Sequence, residues 1–530
     1  MHFQALGAEQ SGLYSKLMLD YLSEKQDLSP FISFWPNDAG YEQQLQVRAK
    51  NAPDRQNLVA CLRKQYQNTE MGEAVSANLE LLLEENSFTL TTGQQIHIFL
   101  GPMYVYWKIV STIALAQRLK RLHPNKNFVP VFWMATEDHD FAEVNHVELF
   151  NREFVWDTKS EFSGPVGRLE LAGLPELTEE VAELFSRQEG WKKFETLFKE
   201  AYSQEENFAQ ATRRLVHAFF KEYGLVIIDP DDAQLKKDFL PIIREELVAE
   251  SSKDAVQEVS ENLGKSYGLQ VHPRAINLFY TGQKGRERLE NKDGTIQTIG
   301  GEVLGQVEDI DSWLVSKVAD ISANVVLRPV FQEVILPNLA YIGGPGELAY
   351  WMQLKGVFDH FSVPYPILEN RKSVFIIGSK VQGVLDKMNL KIEDLFMDED
   401  QLRVKALERS NDGLISLKED LKELHQLKDR IIGKAASIQA SHAKPLAETF
   451  NQSDKIIKKI DKEIFTLQEA GLEKSLEKVL KMKALIKEKG FTQERNQYMI
   501  QYLLQLDSNQ IIKKLSAGYK NLGPVALLFD

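Results

Sequence analysis

Cysteine is almost absent from this chain, with one residue, Cys61, in 530. A single thiol excludes an intramolecular disulfide framework and any zinc site built on several cysteines, and it fits a reducing cytoplasm. Cys61 sits in LVACLRKQ, whose apolar positions follow a helical stripe, and a lone Cys on such a stripe reads as core rather than as a nucleophile. Long hydrophobic runs are also missing. No apolar stretch approaches the roughly 20 residues of a membrane span, and the opening MHFQALGAEQSGLYSKL lacks a basic start followed by an apolar segment. Positive charge is in deficit: 63 Lys and Arg against 76 Asp and Glu leave a formal charge of −13. That balance argues against a nucleic-acid coat and against an anionic membrane surface as partners, and leaves room for a local basic pocket.

What is there is ordinary for a large soluble protein: 43% hydrophobic and 26% charged residues, enough for a sizeable core and two or three domains. Five segments share one pattern, a β-rich apolar run that ends in polar or glycine-containing residues. They are SFTLTTGQQ (87–95), FVPVFWMATEDHD (128–140), GLVIIDPDD (224–232), NLAYIGGPGE (338–347) and VPYPILENRKS (363–373). Near-continuous apolar strands suit a parallel sheet covered on both faces, so the expected core is a doubly wound α/β domain. The long gaps between the second, third and fourth strands exceed what one crossover helix needs and predict insertions near 151–215 and 255–325. The second insertion carries a KDGT turn between paired strands. The stretch before residue 85 reads as helices packed on the core.

From about residue 383 the texture changes to long charged helices. Leu414, Leu417, Leu421 and Leu424, then Ile431, Ala435 and Ile438, follow three-four spacing broken by Lys428, and Ile457, Ile460, Ile464 and Leu467 repeat it after a break around Pro445. This predicts an antiparallel coiled-coil hairpin with two arms of roughly 50 Å, if about 35 residues of each are helical. The expected division is a core over 1–382, a helical domain over 383–500, and a return of NLGPVALLFD to the core within 501–530.

Ligands of open parallel sheets bind outside the carboxyl ends of the strands, so the polar clusters there are the candidate site. In TGQQ, Gly93 lets backbone approach a ligand while Gln94 and Gln95 offer amide groups at an expected helix start, a setting for phosphate or carboxylate. Glu137, Asp138, His139 and Asp140 crowd carboxylates around an imidazole, which suits acid/base chemistry or a magnesium ion beside substrate phosphates. His139 and His146 lack a standard zinc spacing, so no zinc is expected. In GGPGE, Gly343, Gly344, Pro345 and Gly346 precede a helix that carries Glu347 and Tyr350. Glu347 there can meet a substrate ammonium or complement the helix dipole. Arg371 and Lys372 of ENRKS can neutralise phosphates. His97 is a further candidate contact.

At TTGQQ, ATEDHD and above all LRPVFQEVILPNLAYIGGPGELAYW, the chain resembles the cysteine-adding enzymes of bacillithiol biosynthesis, the cysteine ligases. The order of segments from near residue 85 onward, coiled coil included, carries the resemblance over most of the chain. It implies a Rossmann-like core with inserted connective segments and a coiled-coil domain that pairs subunits as a homodimer. It also implies addition of L-cysteine to glucosaminyl-malate through an amide bond. TGQQIH departs from the two-histidine signature of class I synthetases, and ENRKS only faintly resembles their KMSKS loop, so ATP is implied by analogy. Under this reading Asp138, His139, Asp140 and Glu347 are catalytic, and Gly93, Gln94, Gln95, Glu137, the GGPG turn, Tyr350, Arg371 and Lys372 bind substrate or nucleotide. The readings from other classes are a nucleotide- or metabolite-binding coiled-coil assembly factor and an adenylyl or acyl transferase acting on another amine.

Overall fold

The computed structural model describes residues 2–158, 162–410, 415–488 and 491–529. The five apolar runs form five parallel strands that are buried almost throughout: β1 (Ser87–Gln94), β2 (Asn127–Met134), β3 (Val226–Ile228), β4 (Asn338–Gly343) and β5 (Ile367–Asn370). Their order across the sheet is β5-β4-β1-β2-β3. The chain therefore winds outward through β1, β2 and β3, then crosses back to β4 and β5, the Rossmann-like doubly wound arrangement. Threonines tie the two halves together at the crossover: Thr89 and Thr91 both donate to Oδ1 of Asn338, at 3.1 and 2.8 Å, and Thr92 donates to the Ile342 carbonyl at 2.7 Å.

Two helices position the site. Helix α1 (Met103–Leu122) packs on β1 and β2, is buried on most of its surface, and places Lys120 and Arg121 in its last turn, where cations complement the dipole. Helix α2 (Pro345–Gln353) follows β4 directly, with Pro345 in its first turn, and its Trp351 stacks on Tyr341 at 4.2 Å. TGQQ, by contrast, does not open a helix. β1 runs through Gln94, and Phe99, Leu100 and Gly101 then take φ values of 51°, 70° and 71°, which no right-handed helix accepts, so α1 begins only after Pro102.

The gap between β2 and β3 holds a short helix, Phe141–Val144, a hairpin, His146–Leu149 with Arg152–Val155, and the longer helices Leu174–Phe185, Trp191–Gln204 and Phe208–Phe220. The gap between β3 and β4 holds a five-stranded antiparallel sheet whose central pair, Gly285–Lys292 and Thr295–Thr298, turns at Asp293 and Gly294. Their φ values of 52° and 85° are those of a type I′ turn, as an Asp-Gly pair predicts. ENRKS is followed by another strand, Ser373–Ile377, rather than by a helix, and the apolar tail forms Val525–Phe529 beside His2–Leu6.

The chain divides into two compact units, one chiefly Leu13–Phe375 with Glu494–Leu528, the other chiefly Ile376–Gln493. Within the second, α3 (Lys418–Ile438) and α4 (Ala443–Ile486) run antiparallel. The Leu417 amide donates to Asp461, His425 pairs with Asp454 at 2.8 Å, and Lys428 donates to Asn451 at 2.7 Å. Lys428 thus has a polar partner across the seam. Two expectations are corrected here. With 21 and 44 residues the arms measure about 32 and about 66 Å at 1.5 Å per residue, not two equal lengths. Ile438, Ile460 and Leu467, at 88%, 43% and 74% exposure, are not buried in the hairpin, whose seam includes polar pairs such as Lys428 with Asn451. Leu414 lies outside the described residues. Among the described residues no helix is long and apolar enough to cross a membrane.

Candidate active site

Crossing from β3 back to β4 leaves a topological switch point between β1 and β4, the position where sheets of this type bind ligands. A cavity of about 560 Å³ opens there, within the ordinary range for small-molecule sites. Gly93, Gln94 and Gln95 reach it from the end of β1, and Glu137 and Asp138 from beyond β2. Tyr341 at β4 and Glu347 and Tyr350 of α2 complete the core side of its wall.

Lys108, on the buried face of α1, pins this wall. Its ammonium donates to the Gly93 carbonyl, to Oε1 of Gln94 at 3.0 Å and to Glu347 at 2.8 Å. The remaining capacity of Glu347 is filled by the Tyr341 hydroxyl at 2.9 Å and the Gly344 amide at 2.8 Å. Burial alone would raise the Glu347 carboxyl, but Lys108 outweighs it and holds the group below the usual carboxylate range. Glu347 is thereby an ionised clamp between the ends of β1 and β4.

The four residues of EDHD do four different things. Glu137 is buried and meets Lys236 at 2.8 Å, and Lys236 also meets Asp231 at 2.8 Å. Asp231 is paired in turn with Arg168 at 2.6 Å. Burial pushes the Glu137 carboxyl above its usual range in spite of Lys236. Asp138 is opposite in character. Burial would raise it, but hydrogen bonds from His139, from Gln95 at 2.7 Å and from the His139 amide hold it well below the usual range. Asp140 caps a short helix by accepting from the Glu143 amide at 3.1 Å, and the half-exposed His139 ring lies 3.0 Å from Nη1 of Arg286.

The other predicted residues do not line the cavity. Gly343, Gly344, Pro345 and Gly346 form the β4-to-α2 turn, where a Cβ on Gly343 would come within 2.8 Å of Leu348. Arg371 is buried in a bidentate pair with Glu494, both contacts at 2.7 Å, and Lys372 is buried over the Tyr519 ring, its ammonium pushed down to about 8 by burial. His97 is buried, and its imidazole is pushed down to about 4. Cys61 is buried on the helix Arg55–Gln65, where burial pushes its thiol up to about 11. The native thiol is accordingly expected to react with Ellman's reagent far more slowly than the urea-unfolded one, and Cys61→Ala to leave turnover unchanged. Rapid native labelling that abolishes turnover would overturn this.

The rest of the wall comes from the inserted sheet and from the segments on either side of it. It contributes Arg274, Arg286, Arg288 and Arg328, none of them singled out from the sequence. Arg286 lies over the Phe279 ring at 4.0 Å and donates to Ser322 at 2.9 Å and to the Ala323 carbonyl at 3.2 Å. A signal was present: Arg286 and Arg288 stand two apart in GRERLE, hence on one face of a strand. No such signal marks Lys108 or Lys236, whose partners Glu347 and Glu137 lie far away in sequence.

Family sequence profiles match both parts of the chain. Bacillithiol biosynthesis BshC, N-terminal Rossmann-like domain, covers residues 1–372, and the C-terminal coiled-coil domain of the same description covers 374–523. The chain belongs to the BshC family. Relatives in Flavobacterium johnsoniae and Flavobacterium psychrophilum are 37% and 35% identical, over 95% of both chains for the first, and 100% of this chain and 99% of the relative for the second. One from Cytophaga hutchinsonii is 33% identical over 98% of this chain and 97% of its own. All three carry the name "Putative cysteine ligase BshC". In BshC terms, the switch-point cavity lies wholly within the Rossmann-like match.

Proposed function

We propose that this chain is a cytoplasmic ligase that joins L-cysteine to the amine of glucosaminyl-malate, the last step of bacillithiol biosynthesis, with ATP activating the cysteine carboxylate. The observation that carries the reading is the switch-point cavity, which a buried carboxyl of raised proton affinity shares with four arginines. In this reading the activated cysteine carbonyl is attacked by the sugar amine, the C–N bond forms, the phosphate-bearing leaving group departs, and the amine's proton passes to Glu137. A base must hold the proton it removes, and the strongly acidic Asp138 does so less well. Gly93, Gln94, Gln95 and Arg328 form the phosphate side. A Cβ built on Gly93 would lie 3.6 Å from the Arg328 guanidinium. Magnesium would enter with the triphosphate, since no group of three His, Cys, Asp or Glu is placed to hold a metal among the described residues. Exposed Ile456, Ile460 and Leu467 on α4 support a homodimer formed through the hairpin.

The test is incubation of the protein with L-cysteine, glucosaminyl-malate, ATP and magnesium, omitting each in turn, with mass spectrometry of thiols and nucleotides. Bacillithiol with AMP marks an adenylate route, and bacillithiol with ADP an acyl phosphate. Bacillithiol formed equally well without ATP would remove ATP from the reading, and no binding of either substrate would sink the ligase itself.

A further inference from the structure

The charges around the cavity are unevenly satisfied. Glu347 is neutralised by Lys108, and Glu137 by Lys236. Arg286 is held by Ser322 and Ala323, and Arg328 donates to Gln332 at 3.3 Å. Arg274 and Arg288 are different. Both line the cavity, yet among the described residues neither guanidinium has a hydrogen bond or an ion pair.

Their backbones are anchored, Arg288 half-buried on a strand and Arg274 exposed on the loop before the neighbouring strand. Arg288 stands on the strand Gly285–Lys292, directly opposite Phe279 of the neighbouring strand. Arg274 leads into that neighbouring strand, and its amide donates to Oδ1 of Asn277 at 3.1 Å. Asn277 is fully buried, bonded through its amide to Glu246 at 2.8 Å and through its side chain to Ser252 at 2.8 Å. Two unpaired like charges line one cavity, so a ligand that brings two negative charges is favoured there. A guanidinium fork matches a carboxylate in a planar, two-point contact.

We propose that Arg274 and Arg288 form a dicarboxylate subsite that reads the malyl end of the acceptor and sets a preference for diacid over monoacid acceptors. The proposal rests on the ligase reading above for the identity of the acceptor, but the arginine pair can be tested without it. Full-length protein is titrated with L-malate and with L-2-hydroxybutyrate, which replaces the distal carboxylate by a methyl group. Steady-state kinetics with glucosaminyl-malate are measured in parallel. Wild type should favour malate, and Arg274→Gln and Arg288→Gln should each abolish that preference. Each should also raise KM for glucosaminyl-malate by about 10- to 100-fold, the loss expected for one charged hydrogen bond, with a much smaller change in kcat, in KM for cysteine and in melting temperature. Variants that keep the wild-type preference and KM overturn the proposal, as does a wild type that binds the two acids alike. If wild type prefers malate, and the variants do not, but glucosaminyl-malate is never turned over, the subsite stands and only the assigned acceptor falls.

Discussion

Glu137→Gln is expected to lower kcat by about 10² to 10⁴-fold, the usual worth of a positioned general base. Glutamine keeps the shape of the side chain but cannot take a proton. Lys236 retains Asp231 at 2.8 Å, so the fold should survive the change. The pH profile separates this role from a structural one. Burial holds the Glu137 carboxyl above the usual range, so its basic form is present only above that raised pKa. Wild-type kcat/KM should therefore fall as pH drops through it, and this acid limb should be missing from the variant. Lys236→Met removes the facing cation, disfavours the carboxylate further and should shift the limb to higher pH. A Gln variant with near-normal kcat, or with the same acid limb, would remove Glu137 from the chemistry.

Lys108→Met should destabilise the Rossmann-like unit by about 2–3 kcal/mol, because it leaves the buried Gly93 carbonyl without its donor and the Glu347 carboxylate, 27% exposed to the cavity, without its cation. All seven tryptophans, Trp35, Trp107, Trp133, Trp156, Trp191, Trp313 and Trp351, lie in this unit, so their fluorescence during urea unfolding follows it alone. Adding Glu347→Gln to Lys108→Met removes the stranded charge and should restore a large part of the loss, giving a strongly non-additive double-mutant cycle. A single variant within about 1 kcal/mol of wild type would mean that the pair contributes little net stability, as exposed pairs do.

These two residues show where sequence reading succeeds and where it stops. Glu137 was visible because it follows an apolar strand, and strand carboxyl ends gather ligands in parallel sheets. The sequence placed it among the binding residues and its neighbours Asp138 and Asp140 among the catalytic ones, whereas the raised Glu137 and the lowered Asp138 owe their contrast to burial and to hydrogen bonds made only in the fold. Lys108 looked like one more helical lysine. It is 15 residues from Gly93 and 239 from Glu347, and only the crossover that places β4 beside β1 brings the three together. Arg371 and Lys372 looked free to meet phosphate, yet Glu494, more than 120 positions away, claims the arginine.

Sequence alone determined the parallel-strand core, the Asp-Gly turn of the inserted sheet, the start of a helix at Pro345 and the helical hairpin. Each follows from interactions within a few residues: apolar periodicity, φ preference and capping. Tertiary structure alone decided the unequal arms and which charges are satisfied at the cavity. Those outcomes depend on partners remote in sequence. Whether a buried charge is paired or left facing a cavity is a property of the packed chain, with no local signature to read.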